Sequence, residues 1–283
     1  MHFTTAPDRP ERGGLSARES LADQAAHSIL DLIVSQKLAP GAPLPSEHAL
    51  AAQFGVSRAV VREACRALSA RGIVTIRHGR GMFVSALSPD TLSEYFAFAL
   101  RQDALLFEDL LEVRFPIEVR AAQLAAQRAE PQQVDQIRSA LEATRAVLDD
   151  FEALARADVA FHNAIFEASG NQILALLGAG FQNLLVESRR LTYAGSVFRG
   201  ETSKVALADH TKICEAIAAA DMEAAGQTMR EHLLMTQRAL VAANERLREF
   251  GNAPLTTAQM VELALIKYRE AEERHHKAEE EGA

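Results

Sequence analysis

Residues 57–84 read SRAVVREACRALSARGIVTIRHGRGMFV, and the order of signals in them decides the fold of the first part of the chain. Ser57 is a helix N-cap and Gly72 a helix stop, and between them Arg58, Arg62 and Arg66 recur every four residues. At roughly 100° per residue the three arginines cover about 80° of one helix face. Val60, Val61, Ala64 and Leu68 point largely the other way, so the helix can bury its apolar side and offer guanidinium groups outward. After the stop, IVTI and MFVS are β-prone runs separated by RHGRG, which predicts a hairpin. Arg77, His78 and Arg80 charge its tip, and Gly79 and Gly81 permit a close backbone approach.

Working outward, Leu21, Ala25, Ile29, Leu32 and Ile33 share one face of a first helix from about Ser20 to Gln36. KLAPGAPLPS is a loop, Ser46 caps a short helix through Phe54, and Gly55 turns the chain. The order helix, helix, turn, helix, hairpin describes a winged helix-turn-helix spanning residues 16–86. Its third helix suits a major groove, where Arg reads guanine with two parallel hydrogen bonds. Ser57 and the free amides beside it suit a phosphate. A solvated arginine face on an ordinary helix is the alternative; the turn, cap and wing in sequence favour DNA.

The 283 residues carry a net charge of −8, yet residues 16–86 hold 8 basic against 5 acidic side chains, which leaves −11 for the rest. A basic unit joined to an acidic one points to a polyanion binder followed by a second function. With 48% apolar and 24% charged residues the chain can form sizeable cores, and the absence of Trp with only 9 Pro favours helix. Two cysteines, Cys65 and Cys214, give no disulfide framework. No apolar run is long enough for a membrane span and the start has no signal-peptide pattern, so a cytoplasmic protein with no membrane partner is expected.

Beyond a linker at SALSPDT the periodicity is helical almost throughout, in seven segments at about 91–102, 107–128, 131–149, 151–169, 172–192, 203–219 and 221–247. Short connections predict an antiparallel all-α helical bundle over 91–247, followed by a charged C-terminal tail with a helix at 252–283. The expected fold class is therefore mainly α: a winged helix-turn-helix and a helical bundle.

The stretch PGAPLPSEHALAAQFGVSRAVVREACRALSARGIVTIRHGRGMFV, unbroken from Pro40 to Val84, resembles the DNA-binding domain of GntR-type bacterial transcription regulators. The resemblance implies DNA contacts at Ser57, Arg58, Ala59 and Arg62 on the third helix and at His78 and Gly79 in the wing. His48 stands where the family often has an arginine after the glutamate, and operator preference is expected to differ there.

In the bundle, ADVAFHNAIF sets Asp158 and His162 four residues apart on one helical face. ADHTKICEAI sets His210 among Leu207, Ile213, Cys214 and Ile217, and MREHLLMTQ sets His232 among Met229, Leu233 and Met235. Imidazole and carboxylate together suit Zn²⁺, Ni²⁺, Mn²⁺ or Fe²⁺, and helical bundles build such sites on inward faces. On spacing alone, hydrogen-bonded core or surface histidines are the more common reading, and Asp-x-x-x-His is frequent by chance.

LLEVRFPIEVRAAQLAA, ADVAFHNAIFEASGN, DHTKICEAIAAADMEAA and MREHL resemble the all-helical FCD effector domain of the FadR-like subgroup of GntR regulators, over about residues 105–240. That resemblance implies that Asp158, His162, His210 and His232 hold one divalent ion, Zn²⁺ first, with Ni²⁺, Mn²⁺ or Fe²⁺ as alternatives. It implies an organic or sugar acid as effector on that ion, and Arg114 of EVR as a pocket residue. A guanidinium can pair a carboxylate through two bonds; a salt bridge from Arg114 to Glu112, Glu118 or another helix is the plain alternative.

The combined expectation is a metal-dependent, ligand-responsive regulator, a repressor binding a near-palindromic operator as a homodimer. Two rivals stand beside it. A metalloenzyme could use the same four ligands to activate water, although no separate general base is evident. A structural DNA-binding protein would have the histidines merely packed.

Overall fold

The computed structural model describes residues 19–86, 88–102, 106–249, 256, 259–267 and 270. The chain divides into two compact units, Met1–Ser88 and Pro89–Ala283.

In the first unit, α1 (Leu21–Ser35), α2 (Glu47–Phe54) and α3 (Arg58–Ala70) precede β1 (Val74–Arg77) and β2 (Gly81–Val84). Each helix starts where a side-chain oxygen satisfies free amides: Ser20 in a capping box with Asp23, Ser46 accepting from the Ala49 amide, Ser57 from the Val60 amide. Gly55 ends α2 at φ 68°, a left-handed conformation that costs glycine nothing and sets the turn into α3. Val61, Ala64, Cys65 and Leu68 of α3 are buried with Ile29 and Leu32 of α1, Leu50 of α2 and Val74 and Met82 of the hairpin. β1 and β2 pair antiparallel with Val74 opposite Val84 and Arg77 opposite Gly81. Residues 41–44 add a third ribbon: the Gly41 amide donates to the Val84 carbonyl, and Leu44 to Met82. This is the winged helix-turn-helix expected from the sequence.

The second unit is all helix among the described residues. Its elements are α4 (Asp90–Gln102), α5 (Leu106–Arg128), α6 (Pro131–Arg145), α7 (Phe151–Ala168), α8 (Gln172–Gly180), α9 (Gln182–Phe198), α10 (Ser203–Ala218) and α11 (Met222–Glu249). The single segment expected at 172–192 is two helices, and the second runs on to Phe198. Phe181 interrupts the chain at φ −83° and ψ −5°, a conformation so near helical that the apolar spacing hardly registers it. Gly178 and Gly180 accompany the break because they are close-packing positions: a Cβ at Gly178 would meet the Phe166 ring at 2.4 Å, and one at Gly180 would meet Leu92 at 2.5 Å. The segment expected to reach residue 149 ends as a helix at Arg145.

α7 packs against α5, α6, α8 and α9, and α11 against α5, α9 and α10. The main core gathers Phe161, Ile165 and Phe166 of α7 with Ile213 and Ile217 of α10 and Met229 and Leu233 of α11. Most of the tail, including 271–283, lies outside the described residues; the part at 259–267 is helical and buries Met260, Val261 and Ala264 in the bundle. No described helix is long and apolar enough to cross a membrane.

Candidate metal centre and nucleic-acid face

α3 presents Arg58, Arg62 and Arg66 to solvent, together with Ser57 and Ala59. His48 on α2 and His78 and Gly79 at the hairpin tip are exposed as well. Gly79 and Gly81 have φ 70° and 98°, so the tip takes a shape that a side chain would strain. Two contacts were not legible in the sequence. Arg62 donates from Nε and Nη2 to the Glu47 carboxylate, 3.1 Å each, which aims its guanidinium across the α2–α3 turn. Arg77 lies over the Phe83 ring at 4.8 Å and is held to the hairpin.

In the second unit, five helices bring their polar side chains to one buried point. Asp158 and His162 come from α7, His210 from α10 and His232 from α11, exposed by 1%, 2%, 0% and 3% respectively. One nitrogen from each of the three imidazoles lies within 4.8 Å of the other two. The Asp158 carboxylate stands beside them, Oδ1 at 3.6 Å from His162 Nε2 and Oδ2 at 3.6 Å from His210 Nε2. The His210 ring stacks on Phe161 with centroids 4.4 Å apart, which fixes its plane. The four residues expected to gather do gather.

α5 and α9 add residues around them. Arg114 and Glu118, one turn apart on α5, form a buried ion pair, and Glu118 Oε2 lies 2.6 Å from His162 Nδ1. Glu118 thus stands on the Nδ1 side of the ring, and Nε2 faces Asp158. Pro116, between them, removes the amide that would bond the Glu112 carbonyl. From α9, Arg189 pairs through Nε with Asp158 Oδ1 and approaches His162 Nε2 with Nη2 at 3.0 Å. Tyr193 donates its hydroxyl to Asp158 Oδ2 at 3.1 Å. The salt-bridge alternative for Arg114 is thus realised with Glu118, and its Nη1 and Nη2 are buried without a hydrogen-bond partner. Arg189 and Tyr193 escaped the sequence reading. They share a face with Leu185, Ser188 and Thr192, all buried, and that spacing was the available signal.

Electrostatics follow from burial and pairing. Burial by itself would raise the Asp158 carboxyl, but Arg189 first, then His210 and His162, hold it below the usual range. Glu118 is likewise held low against its burial, by Arg114 and His162. His210 is pushed down to about 3 by burial, and His232 well below its ordinary value by burial and then by the neighbouring His210. Burial and the Asp158 charge raise the Tyr193 phenol. The centre thus holds carboxylates charged and His210 and His232 neutral near pH 7, the protonation states a divalent cation requires.

The fit can be tested on the buried polar atoms. Neither ring nitrogen of His210, nor His232 Nε2, nor Nη1 or Nη2 of Arg114 has a hydrogen-bond partner. A buried group left in that state costs about 1–3 kcal/mol. Neutral imidazoles and a carboxylate form a donor set for Zn²⁺, Ni²⁺, Mn²⁺ or Fe²⁺, so the residues fit an ion. Beside the centre a small cleft of about 30 Å³ is lined by Asp158, Arg189, Thr192, Tyr193, His232 and Thr236.

Comparison with known proteins agrees with both units. Residues 21–84 match the family described as bacterial regulatory proteins, gntR family, and residues 109–235 match the FCD domain. The HTH-type transcriptional regulator LutR of Bacillus subtilis (strain 168) is 35% identical over 203 residues, 71% of this chain and 93% of LutR. The HTH-type transcriptional repressor NanR of Cronobacter sakazakii is 30% identical over 224 residues, 77% of this chain and 84% of NanR. Among solved structures, a Streptococcus agalactiae GntR aligns with TM-score 0.62 and 28% identity, covering 77% of this chain and 99% of that one.

Proposed function

Because this chain belongs to the GntR family of bacterial transcription regulators, carries an FCD domain and is not an enzyme, we propose that it is a metal-dependent, ligand-responsive repressor of the FadR-like subgroup. Asp158, His162, His210 and His232 hold a divalent ion, Zn²⁺ first, and Arg114 takes the carboxylate of a small organic or sugar acid. When bound, the ion supplies a fixed positive charge that attracts and orients that carboxylate. Glu118 orients His162, and Tyr193 orients Asp158. Arg114 offers its two unpaired terminal nitrogens, Nη1 and Nη2, a fork that matches a carboxylate.

In the first unit, Arg58 and Arg62 read base edges, Ser57 and Ala59 lie against the phosphate backbone, and His48, His78 and Gly79 approach from the α2 and wing sides. A homodimer sets two α3 helices into successive major grooves of a near-palindromic operator. Effector binding changes operator affinity through a coupling of about 1–3 kcal/mol, a range of about 5- to 150-fold.

The observation that carries the reading is the set of orphaned nitrogens of His210, His232 and Arg114, buried around one carboxylate. The test is metal analysis of the purified protein, followed by a thermal-shift screen of small carboxylates with and without the ion. Stoichiometric metal and a metal-dependent response to one class of acid are expected. A metal-free protein that ignores every acid and binds its operator normally refutes the sensing half.

A further inference from the structure

We propose that Arg189 is the resident cation of the metal-free centre: its guanidinium holds Asp158 and His162 where the divalent ion will act, and it must release them when the ion binds. The inference rests on the metal reading above.

Arg189 is 2% exposed, and a buried guanidinium is tolerated only when paired. Its partners are two of the four groups named as ligands. Nε meets Asp158 Oδ1, and Nη2 lies 3.0 Å from His162 Nε2. His162 Nε2 has a single lone pair, which cannot accept from Arg189 and bind a cation at once. The other Asp158 oxygen accepts from Tyr193. In this arrangement Arg189 therefore stands against two groups the ion would use, the Asp158 carboxylate and His162 Nε2.

The charges give the same result. The Arg114 and Arg189 guanidinium groups pair with the Glu118 and Asp158 carboxylates, two cations against two anions. A doubly charged ion at the centre would meet the Arg189 guanidinium at close range in a medium of low dielectric, where like charges repel strongly. On release Arg189 would meet new partners, because its side chain lines the small cleft with Thr192, Ser196, Thr202 and Thr236, whose hydroxyls can accept its N–H groups. The arginine thus keeps the metal-free bundle folded around an otherwise uncompensated buried aspartate, at the expense of ion affinity.

The experiment compares the full-length parent with Arg189→Met and Arg189→Lys, each stripped of metal. Zn²⁺ affinity is measured by competition with a fluorescent chelator, and thermal stability is measured with and without Zn²⁺. R189M is expected to bind Zn²⁺ about 10- to 100-fold more tightly than the parent, the range over which groups bordering a metal tune it. It should melt lower than the parent when metal-free, with the gap narrowing on loading. R189K keeps the charge and should stay near the parent. A folded R189M with equal or weaker affinity overturns the inference while the ligand set stands. A parent that takes up no stoichiometric ion overturns both.

Should R189M not fold, the unaltered protein still decides. The Arg189 Nε–H proton is expected to be protected from exchange in the metal-free state and to lose that protection with one equivalent of Zn²⁺. Protection that persists on loading refutes the displacement.

Discussion

Replacing His210 by Phe separates the ion from the fold. His210 is fully buried, its ring stacks on Phe161 at 4.4 Å, and neither ring nitrogen has a hydrogen-bond partner. Phe keeps the stack and removes the orphaned nitrogens, a gain of about 1–3 kcal/mol. Its extra volume costs a similar amount, about 1–3 kcal/mol, in a close-packed core. The two effects oppose, so metal-free H210F should lie within about 2 kcal/mol of the metal-free parent. The metal response has no such cancellation. At free ion roughly 100-fold above Kd, one site stabilises the folded state by about 2.7 kcal/mol. For a unit the size of Pro89–Ala283, each kcal/mol moves Tm by about 2–4 °C, so the parent should gain about 5–11 °C. H210F should lose most of that gain and its stoichiometric ion. The assay is calorimetry of stripped protein with and without Zn²⁺, beside elemental analysis. An H210F variant that keeps its ion and the full shift would refute His210 as a ligand and the reasoning from its orphaned nitrogens.

Arg58→Ala touches only an exposed side chain, so the melting temperature should hold while operator discrimination falls by about 1–3 kcal/mol; unchanged sequence preference in a mobility-shift titration would remove Arg58 from base reading. Gly195→Ala should destabilise the second unit by about 1–3 kcal/mol in urea unfolding. The added Cβ would come 1.8 Å from the Ala239 carbonyl oxygen, an obstacle in the backbone that outweighs the helix propensity of alanine, about 1 kcal/mol. The metal-free protein should weaken as pH falls. Folded His210 sits at about 3 against 6.5 when unfolded, so between those values the unfolded state binds the extra proton and stability rises with pH. Its stabilising effect is fully present above about 6.5 and is lost toward about 3. Urea midpoints at pH about 7 and about 5 should differ less in H210F than in the parent.

The sequence by itself determined whatever depends on near neighbours. Ser46, Gly55, Ser57 and Gly72 punctuate the winged helix because caps and left-handed turns are satisfied within a few residues. The outward arginines of α3 follow from helical period alone. Asp158 with His162, and Arg114 with Glu118, were legible as pairs one turn apart. The break at Phe181 was missed because its backbone stays nearly helical. That His210 and His232 arrive beside Asp158 was implied by family resemblance and not by their spacing, since nothing local relates α7 to α10 or α11.

Tertiary structure alone decided the rest. In the pair Arg189–Arg190, the sequence offers two equal cations. Packing turns Arg189 inward onto Asp158 and leaves Arg190 with Glu152 and Glu187 nearer solvent. The same packing strips water from His210, His232 and Arg114 without supplying partners for all their nitrogens. Burial is a property of the assembled helices, and so are the charge states and unmet hydrogen bonds that burial creates.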